Sequence, residues 1–279
     1  MDLSKVKIVT DSSSDLLNFQ EINFGYAPLK IRTDVDEYID DTNLNVKEML
    51  DNLLKYSGKS STACPSPEDW LSEFQDAQYV FCISITSNLS GSYNSACIAK
   101  DLYEEKYDDR KVFIIDSLST GPEMQLIIDK IAELIKTDKD FETICNEITE
   151  YQKHTSLLFM LESMKNLANN GRVSPITAKI AGVLGIRVVG KASNIGTLKV
   201  LEKCRGEKKA IQALFNNMKN MGYNGSVVKI SHCFNFDAAL KLKNLILSEF
   251  KKAKIEIGTC GGLCSFYAEK GGLLIGFEH

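Results

Sequence analysis

Short apolar runs alternate with amphipathic stretches along the first half of the chain. Four of the runs have the length and the β-branched or aromatic content of buried strands, and five other stretches carry apolar residues at helical spacing. The predicted strands are residues 6–10, 26–31, 79–85 and 111–116, and the predicted helices are residues 46–56, 66–75, 91–105, 121–136 and 140–153. This alternation is typical of an α/β fold with a mostly parallel sheet flanked by helices.

The pattern changes near residue 155. The residues that follow predict helices joined by small turns, and then a second set of strands and helices. Strands are indicated by "IRVVG", "TLKVLEK", "SVVKIS", "KIEIG" and "GLLIGF", and helices by residues 206–220 and 235–251. We therefore expect two α/β domains, residues 1–155 and residues 156–279. No repeat, low-complexity tract or proline-rich linker separates them, so we expect the two domains to pack closely.

Composition narrows the class of protein. The chain has 279 residues, of which 44% are hydrophobic, and its net charge is −4 without a long basic run. A sizeable core is expected, and nucleic acid is not an expected partner. The sequence shows no secretory signal and no apolar segment of the roughly 18 residues that span a membrane. The eight cysteines are scattered, which is typical of reduced thiols in the cytoplasm, where we expect this protein.

Polar residues follow three of the predicted strands. These segments are "TDSSSD" at residues 10–15, "TSNLSG" at residues 86–91 and "DSLSTG" at residues 116–121. In open α/β sheets, ligands bind beyond the carboxyl ends of the strands, where these three segments would meet. Serine, aspartate and glycine are also ordinary helix caps and turn formers, so the pattern alone leaves both interpretations open.

The segment at residues 86–91 precedes a predicted helix. A helix N-terminus presents unpaired N–H groups and a partial positive charge, so Ser87, Ser90 and the backbone around Gly91 could hold an anion without a lysine nearby. A phosphate and a carboxylate would both suit this arrangement.

Familiar catalytic motifs do not fit these residues. Gly58, Lys59 and Ser60 resemble the end of a phosphate-binding P-loop, but Leu53 stands where the first glycine is required. The residues around Ser90 do not form the G-x-S-x-G turn of a hydrolase, and the chain has three histidines to serve as a base. One of them, His232, either faces the cleft between the domains or caps and packs locally.

Cys260 and Cys264 have CxxxC spacing without a second pair of ligands, so no metal site is expected.

Seven segments, in order and spacing, resemble the DegV family over essentially the whole chain. They are "TDSSSDL" (10–16), "APLKI" (27–31), "STACPSPEDW" (61–70), "ITSNLSGSYNSA" (85–96), "DSLSTGPEMQL" (116–126), "MKNLANNGRVS" (164–174) and "KCRGEKKAI" (203–211). The resemblance implies a two-domain α/β protein that holds a long-chain fatty acid in a tunnel between its domains. It also implies a non-catalytic subunit of a fatty acid kinase, without cofactor or metal, which presents the fatty acid to a separate ATP-dependent kinase protein for acyl-phosphate formation.

The resemblance also indicates which residues hold the head group of the fatty acid. The threonine of the family's "TSQP" motif falls on Thr62, the second serine of "SSxLSG" on Ser87, the serine of "LSG" on Ser90 and the arginine of "GGR" on Arg172. For Arg172 the alternative is a turn between helices stabilised by a surface ion pair. Many members carry a histidine near the head group, and Cys264 occupies that position here, so the manner of presentation for phosphorylation stays open.

The energetics of a lipid carrier agree with this interpretation. Burial contributes about 0.8 kcal/mol per methylene, so a chain of about 14 methylenes supplies roughly 11 kcal/mol before ordering costs. The apolar stretches 156–164 and 176–186 could line the tunnel or belong to the core. The alternative function is an enzyme in its own right, a hydrolase or phosphoryl-transfer protein that uses the same serines. The preferred chain length, the kinase partner and the oligomeric state are not determined by the sequence.

Overall fold

The computed structural model describes residues 2–137, 139–177 and 185–279. The strands are β1 (Val6–Asp11), β2 (Phe24–Ala27), β3 (Lys30–Arg32), β4 (Glu37–Ile39), β5 (Ser61–Ala63), β6 (Tyr79–Ser84), β7 (Lys111–Asp116), β8 (Thr155–Leu161), β9 (Ile186–Ala192), β10 (Leu198–Arg205), β11 (Val228–His232), β12 (Ile255–Thr259) and β13 (Leu273–Glu278). The helices are α1 (Val46–Lys55), α2 (Pro67–Phe74), α3 (Ser92–Lys106), α4 (Pro122–Ile135), α5 (Phe141–Tyr151), α6 (Lys165–Asn169), α7 (Glu207–Asn220), α8 (Phe236–Glu249) and α9 (Gly262–Ala268).

The first half of the chain forms a parallel sheet covered by helices on both faces. Its strand order is β2-β1-β6-β7, and every neighbouring pair is parallel. Successive residues of a strand point to opposite faces, so Ile8 packs toward α4 and α5 while Val9 packs toward α2 and α3. The prediction of a mostly parallel α/β sheet is confirmed, and the predicted helices of this half match α1 to α5 closely.

The prediction of one strand at residues 26–31 is wrong. The structure divides this segment at Pro28, with β2 in the parallel sheet and β3 in a small antiparallel sheet of order β4-β3-β5. Proline lacks the N–H that a strand donates to its neighbour and fixes its own φ angle, so the chain leaves one sheet there and enters another. The short strands β4 and β5 were not predicted.

The second half forms a mixed sheet of six strands with the order β10-β9-β8-β13-β11-β12. Neighbouring strands are antiparallel except β11 and β12, which are parallel. The start of this half was predicted as helical, and strand β8 corrects that prediction. A continuous apolar run such as "TSLLFML" has no periodicity that separates a buried strand from a buried helix.

Strand β8 shows how the two faces of the six-stranded sheet differ. Leu158 and Met160 belong to a core shared with α7 and α8. Leu157, Phe159 and Leu161 point to the opposite face, which is turned toward the first half of the chain. One face of this sheet is therefore filled by its own helices, and the other is available for a ligand.

The chain passes from the first sheet to the second between α5 and β8. Helix α4 packs against β13 across the two halves, and the Thr155 hydroxyl donates to the carboxylate of Glu123 at 2.8 Å. The division into domains at residue 155 stays a prediction, which this change of sheet supports. Within the described part of the chain, the helices are too short or too polar to cross a membrane.

Candidate ligand-binding site

A cavity lies between the carboxyl ends of the parallel strands and the free face of the six-stranded sheet. The space between the two halves is about 810 Å³, a value that includes the solvent in its opening. The segments after β6 and β7 form one side of it, and strands β8, β9, β10 and β13 form the other. The two halves of the chain therefore enclose one binding space.

Most of the cavity wall is apolar. Leu157, Phe159 and Leu161 of β8 face the cavity, while other residues of the stretch 156–164 belong to the core, so each of the two interpretations holds for part of the stretch. Most of the second predicted stretch lies outside the described residues, because residues 178–184 are not among them. Arg172 is the one charged side chain among the described residues that line the cavity. An elongated apolar ligand with a single anionic group matches this lining.

The buried carboxylate of Asp11 fixes the segment after β6. Its Oδ2 accepts hydrogen bonds from the Ile85 N–H at 2.9 Å and the Ser92 hydroxyl at 2.6 Å. Its Oδ1 accepts from the Ser13 N–H and hydroxyl at 3.2 and 2.5 Å. Asp11 at the end of β1 thus joins the end of β6 to the start of α3.

Asp116 joins the ends of β6 and β7 in the same way. Its Oδ1 accepts from the backbone N–H of Ser87 at 3.1 Å and of Leu118 at 3.0 Å. Gly121 N–H donates to the Ser13 carbonyl at 2.7 Å. The three polar segments that follow the parallel strands therefore meet, as predicted, and several of their residues serve as turn and cap residues.

Several polar residues of the cavity wall lie close together. The Thr62 and Tyr267 hydroxyls lie 2.7 Å apart and are hydrogen-bonded. The Arg172 guanidinium lies 6.0 Å from the centre of the Tyr267 ring, and its Nε donates to the Leu89 carbonyl at 3.1 Å. Arg172 also donates to the Asn170 carbonyl at 2.5 Å. Arg172 therefore binds the backbone beside Ser90.

Ser90 has two functions in the structure. Its Oγ accepts a hydrogen bond from the Ser92 N–H at 3.2 Å, which forms a serine turn just before α3. The same side chain lines the cavity. Because the hydroxyl accepts from the backbone, its proton is available for donation to a ligand oxygen.

Cys264 lies on the wall formed by α9. Its Sγ is 3.3 Å from the Ser13 carbonyl, to which it donates, and 3.4 Å from the Thr120 hydroxyl. Burial raises the pKa of Cys264 well above its usual value, so the thiol is neutral near pH 7. Its single proton is donated to Ser13, so Cys264 presents an uncharged sulfur where the resemblance placed a histidine.

Two buried carboxylic acids near the cavity, Asp15 and Glu123, have raised pKa values. Burial raises the pKa of Asp15 to about 7, and burial also raises the pKa of Glu123 to about 7. Asp15 accepts the Gly261 N–H at 2.7 Å through Oδ1, and its other oxygen, Oδ2, is buried without a hydrogen-bond partner among the described residues. Both groups change charge near neutral pH.

The histidine open to two interpretations has a local structural role. His232 is half-buried, and its Nδ1 accepts the Asn235 N–H at 3.3 Å just before α8. Its ring packs edge-on against Phe236, and burial lowers the pKa of His232. Over the described ranges, no cluster of three or more histidine, cysteine, aspartate or glutamate side chains is arranged to hold a metal ion.

Four of the five predicted head-group residues line the cavity: Thr62, Ser90, Arg172 and Cys264. Ser87 is half-buried and is not among the residues that line the cavity. Its backbone N–H donates to Asp116, and the role of its side chain stays a prediction. Tyr267 was missed. It lies one helical turn after Cys264, a spacing that would have indicated it if the sequence had predicted helix α9.

Comparison with known proteins identifies the family. The sequence model of the DegV family, described as uncharacterised proteins, matches residues 5–278. A DegV domain-containing protein of Streptococcus pneumoniae is 41% identical over 276 residues, which are 98% of each chain. The protein therefore belongs to the DegV family.

Solved structures show the same fold with ligands. A DegV family protein from Eubacterium eligens loaded with heptadecanoic acid is 41% identical, with a TM-score of 0.96 over 98% of this chain and 99% of that one. The Fatty Acid Kinase B3 protein of Streptococcus pneumoniae loaded with linoleic acid is 40% identical, with a TM-score of 0.96 over the same shares. The similar proteins of known structure thus include fatty-acid-binding members of the family.

Proposed function

We propose that the protein binds a long-chain fatty acid in this cavity and presents it to a separate ATP-dependent fatty acid kinase. The observation that carries the proposal is an apolar cavity whose described lining residues include one that is charged, Arg172. The similarity to a Fatty Acid Kinase B3 protein loaded with linoleic acid supports the choice of ligand and partner.

In the proposed complex, the carboxylate lies at the end of the cavity formed by Thr62, Ser90, Arg172 and Tyr267, with Cys264 on the adjoining wall. The hydroxyls donate hydrogen bonds and Arg172 supplies the positive charge, because a carboxylate removed from water without partners costs several kcal/mol. The acyl chain lies along β8 and contacts Leu157 and Phe159. Ser87 supports this end through its N–H bond to Asp116.

The proposal assigns the chemistry to the kinase rather than to this chain. A direct test mixes delipidated protein, oleate and ATP with and without a cognate kinase protein, and traps acyl phosphate with hydroxylamine as the hydroxamate. We expect product only when both proteins are present. Product from this chain alone, or hydrolysis of an added acyl ester by it, would support the enzyme alternative instead.

A further inference from the structure

Two aspartates of the first half hold the start of helix α9, which belongs to the second half. The Gly261 N–H donates to Asp15 Oδ1 at 2.7 Å. The Gly262 and Leu263 N–H groups donate to the two oxygens of Asp40 at 2.6 and 2.9 Å. Asp40 is only 1% exposed, so these bonds form away from solvent.

Gly261 and Gly262 allow the two carboxyl groups to come this close to the start of α9. A side chain at Gly262 would place its Cβ 2.6 Å from Asp40 Oδ1, and one at Gly261 would place it 3.2 Å from Asp15 Oδ1. Cβ atoms are not found as close as 2.6 Å to another atom, so a glycine is required here by the contact with Asp40, together with Leu44, whose Cδ2 a Cβ would overlap. The "CGG" segment is therefore fitted to the two carboxylates.

Helix α9 forms part of the cavity. Leu263, Cys264 and Tyr267 face the ligand space, while Phe266 packs on the other side against Ile31 and Met49. The Tyr267 hydroxyl meets Thr62 on β5. The position of these side chains depends on where the helix begins, which the two aspartates determine.

We infer that Asp40 and Asp15 are positioning residues for the ligand head group: they fix α9 so that Tyr267 and Cys264 face the carboxylate. This inference rests on the proposed function, because it concerns the head group of a bound fatty acid. Neither aspartate is among the residues that line the cavity, so they act through the helix.

The test compares a ligand that has a carboxylate with one that lacks it. Palmitate and hexadecan-1-ol have equal tails, and both can displace a fluorescent fatty acid from delipidated protein. Asp40→Asn keeps one acceptor oxygen but turns an NH₂ group toward the second N–H. We expect it to weaken palmitate binding about tenfold and to change hexadecanol binding less than about twofold. Asp41→Asn is the matched control, because it removes the same charge one residue away, where Asp41 bonds to Asn43.

The acidity of Asp15 adds a second measurement. The titratable groups around Asp15 are Asp40 and the thiols of Cys233, Cys260 and Cys264, and burial raises the pKa of all three thiols. Burial also raises the pKa of Asp40. As the pH rises through about 7, Asp15 loses its proton and its charge repels the ligand anion. Palmitate binding by the wild type should weaken between pH 6 and pH 8, and Asp15→Asn should remove that dependence.

Each result has one meaning. Selective loss of palmitate binding in Asp40→Asn, with Asp41→Asn unchanged, supports the inference. Equal loss of both ligands, or no change in either, overturns it and leaves the proposed function intact. If wild-type protein binds neither ligand, the proposed function itself fails. If Asp40→Asn does not fold, Asp15→Asn decides by the same comparison of palmitate with hexadecan-1-ol: equal loss of both ligands, or no change in either, overturns the inference.

Discussion

The hydroxyl pair of Thr62 and Tyr267 is the clearest polar feature of the cavity. It joins β5 of the small sheet to α9, and Arg172 lies over the tyrosine ring. When a carboxylate enters, one of these hydroxyls can turn its proton toward the ligand while the other bonds to it. The pair therefore offers a donor without the cost of an unpaired buried hydroxyl in the empty protein.

Thr62→Val tests this arrangement while keeping the size of the side chain. Removing one donor from a buried carboxylate should weaken fatty acid binding by about 1–3 kcal/mol. Thr42→Val, on an exposed residue, is the control and should bind as the wild type does. The measurement is titration of delipidated protein with a fluorescent fatty acid, and equal affinity of both variants would remove Thr62 from the site.

Two serines of the same segment should differ in effect. Ser90 lines the cavity, whereas Ser87 lies behind the segment and bonds to Asp116 through its backbone. We expect Ser90→Ala to weaken fatty acid binding by about 1–2 kcal/mol and Ser87→Ala to weaken it less. The same titration measures both variants. A larger loss in Ser87→Ala would mean that the carboxylate contacts the segment on its other side.

At the scale of elements, the turn between β9 and β10 closes against the segments that follow β6 and β7. Gly196 in this turn has a φ of +74° and lines the cavity. An added Cβ would overlap the Thr86 hydroxyl and lie 3.0 Å from Leu118 Cα. The hairpin of the second half is thus packed directly on the first half.

Gly196→Ala and Gly206→Ala separate this contact from backbone strain. Both glycines have positive φ, but nothing lies within 4 Å of a Cβ added at Gly206. Gly206→Ala should cost about 1–2 kcal/mol of stability from strain alone. Gly196→Ala should cost more and should also weaken ligand binding. Urea unfolding and ligand titration measure the two effects, and equal behaviour of the two variants would contradict the close packing at Gly196.

The buried acid of α4 predicts a pH dependence of stability. Glu123 is 6% exposed and accepts the Thr155 hydroxyl, and burial raises the pKa of Glu123 to about 7. An acid whose pKa is raised by folding stabilises the protein while it is protonated, and that contribution is lost as the pH rises through about 7. The loss is up to about 3 kcal/mol, since each pKa unit corresponds to about 1.4 kcal/mol.

Glu123→Gln keeps the acceptor for Thr155 and removes the titration. We expect the free energy of unfolding of the wild type to fall between pH 5 and pH 8, and that of Glu123→Gln to fall less. Glu105→Gln, on an exposed residue of α3, should follow the wild type. Urea unfolding at the two pH values gives the comparison. Parallel pH dependences in the wild type and Glu123→Gln would show that Glu123 does not titrate in this range.

At the scale of the whole molecule, the long elements could be predicted from sequence and the contacts between halves could not. Strands β1, β6 and β7 have clear apolar runs, and helices α3 and α4 have clear boundaries. The bond between Asp40 and Gly262 joins residues 222 positions apart, and neither residue carries a local signal for it. Helix α9 begins with a glycine, which disfavours a helix prediction, and tertiary contacts stabilise it instead.

At the site too, individual segments could be predicted from the sequence but the contacts between them could not. The resemblance supplied Thr62, Ser90, Arg172 and Cys264, because each lies in a recognisable segment, but only folding brings these segments together. The apolar face of β8 appears in the sequence as a continuous run, and its division into a core face and a cavity face depends on the sheet that surrounds it. Site residues on short elements are therefore the least predictable part of this fold.

The proposed function requires that the cavity between the two halves hold a fatty acid. The most direct measurement is mass spectrometry of the protein purified from bacteria, under native conditions and after extraction with organic solvent. We expect one bound fatty acid of about 14 to 18 carbons, because its tail would bury enough apolar surface for the complex to survive purification. Protein recovered empty that also fails to bind added oleate or palmitate would contradict the claim.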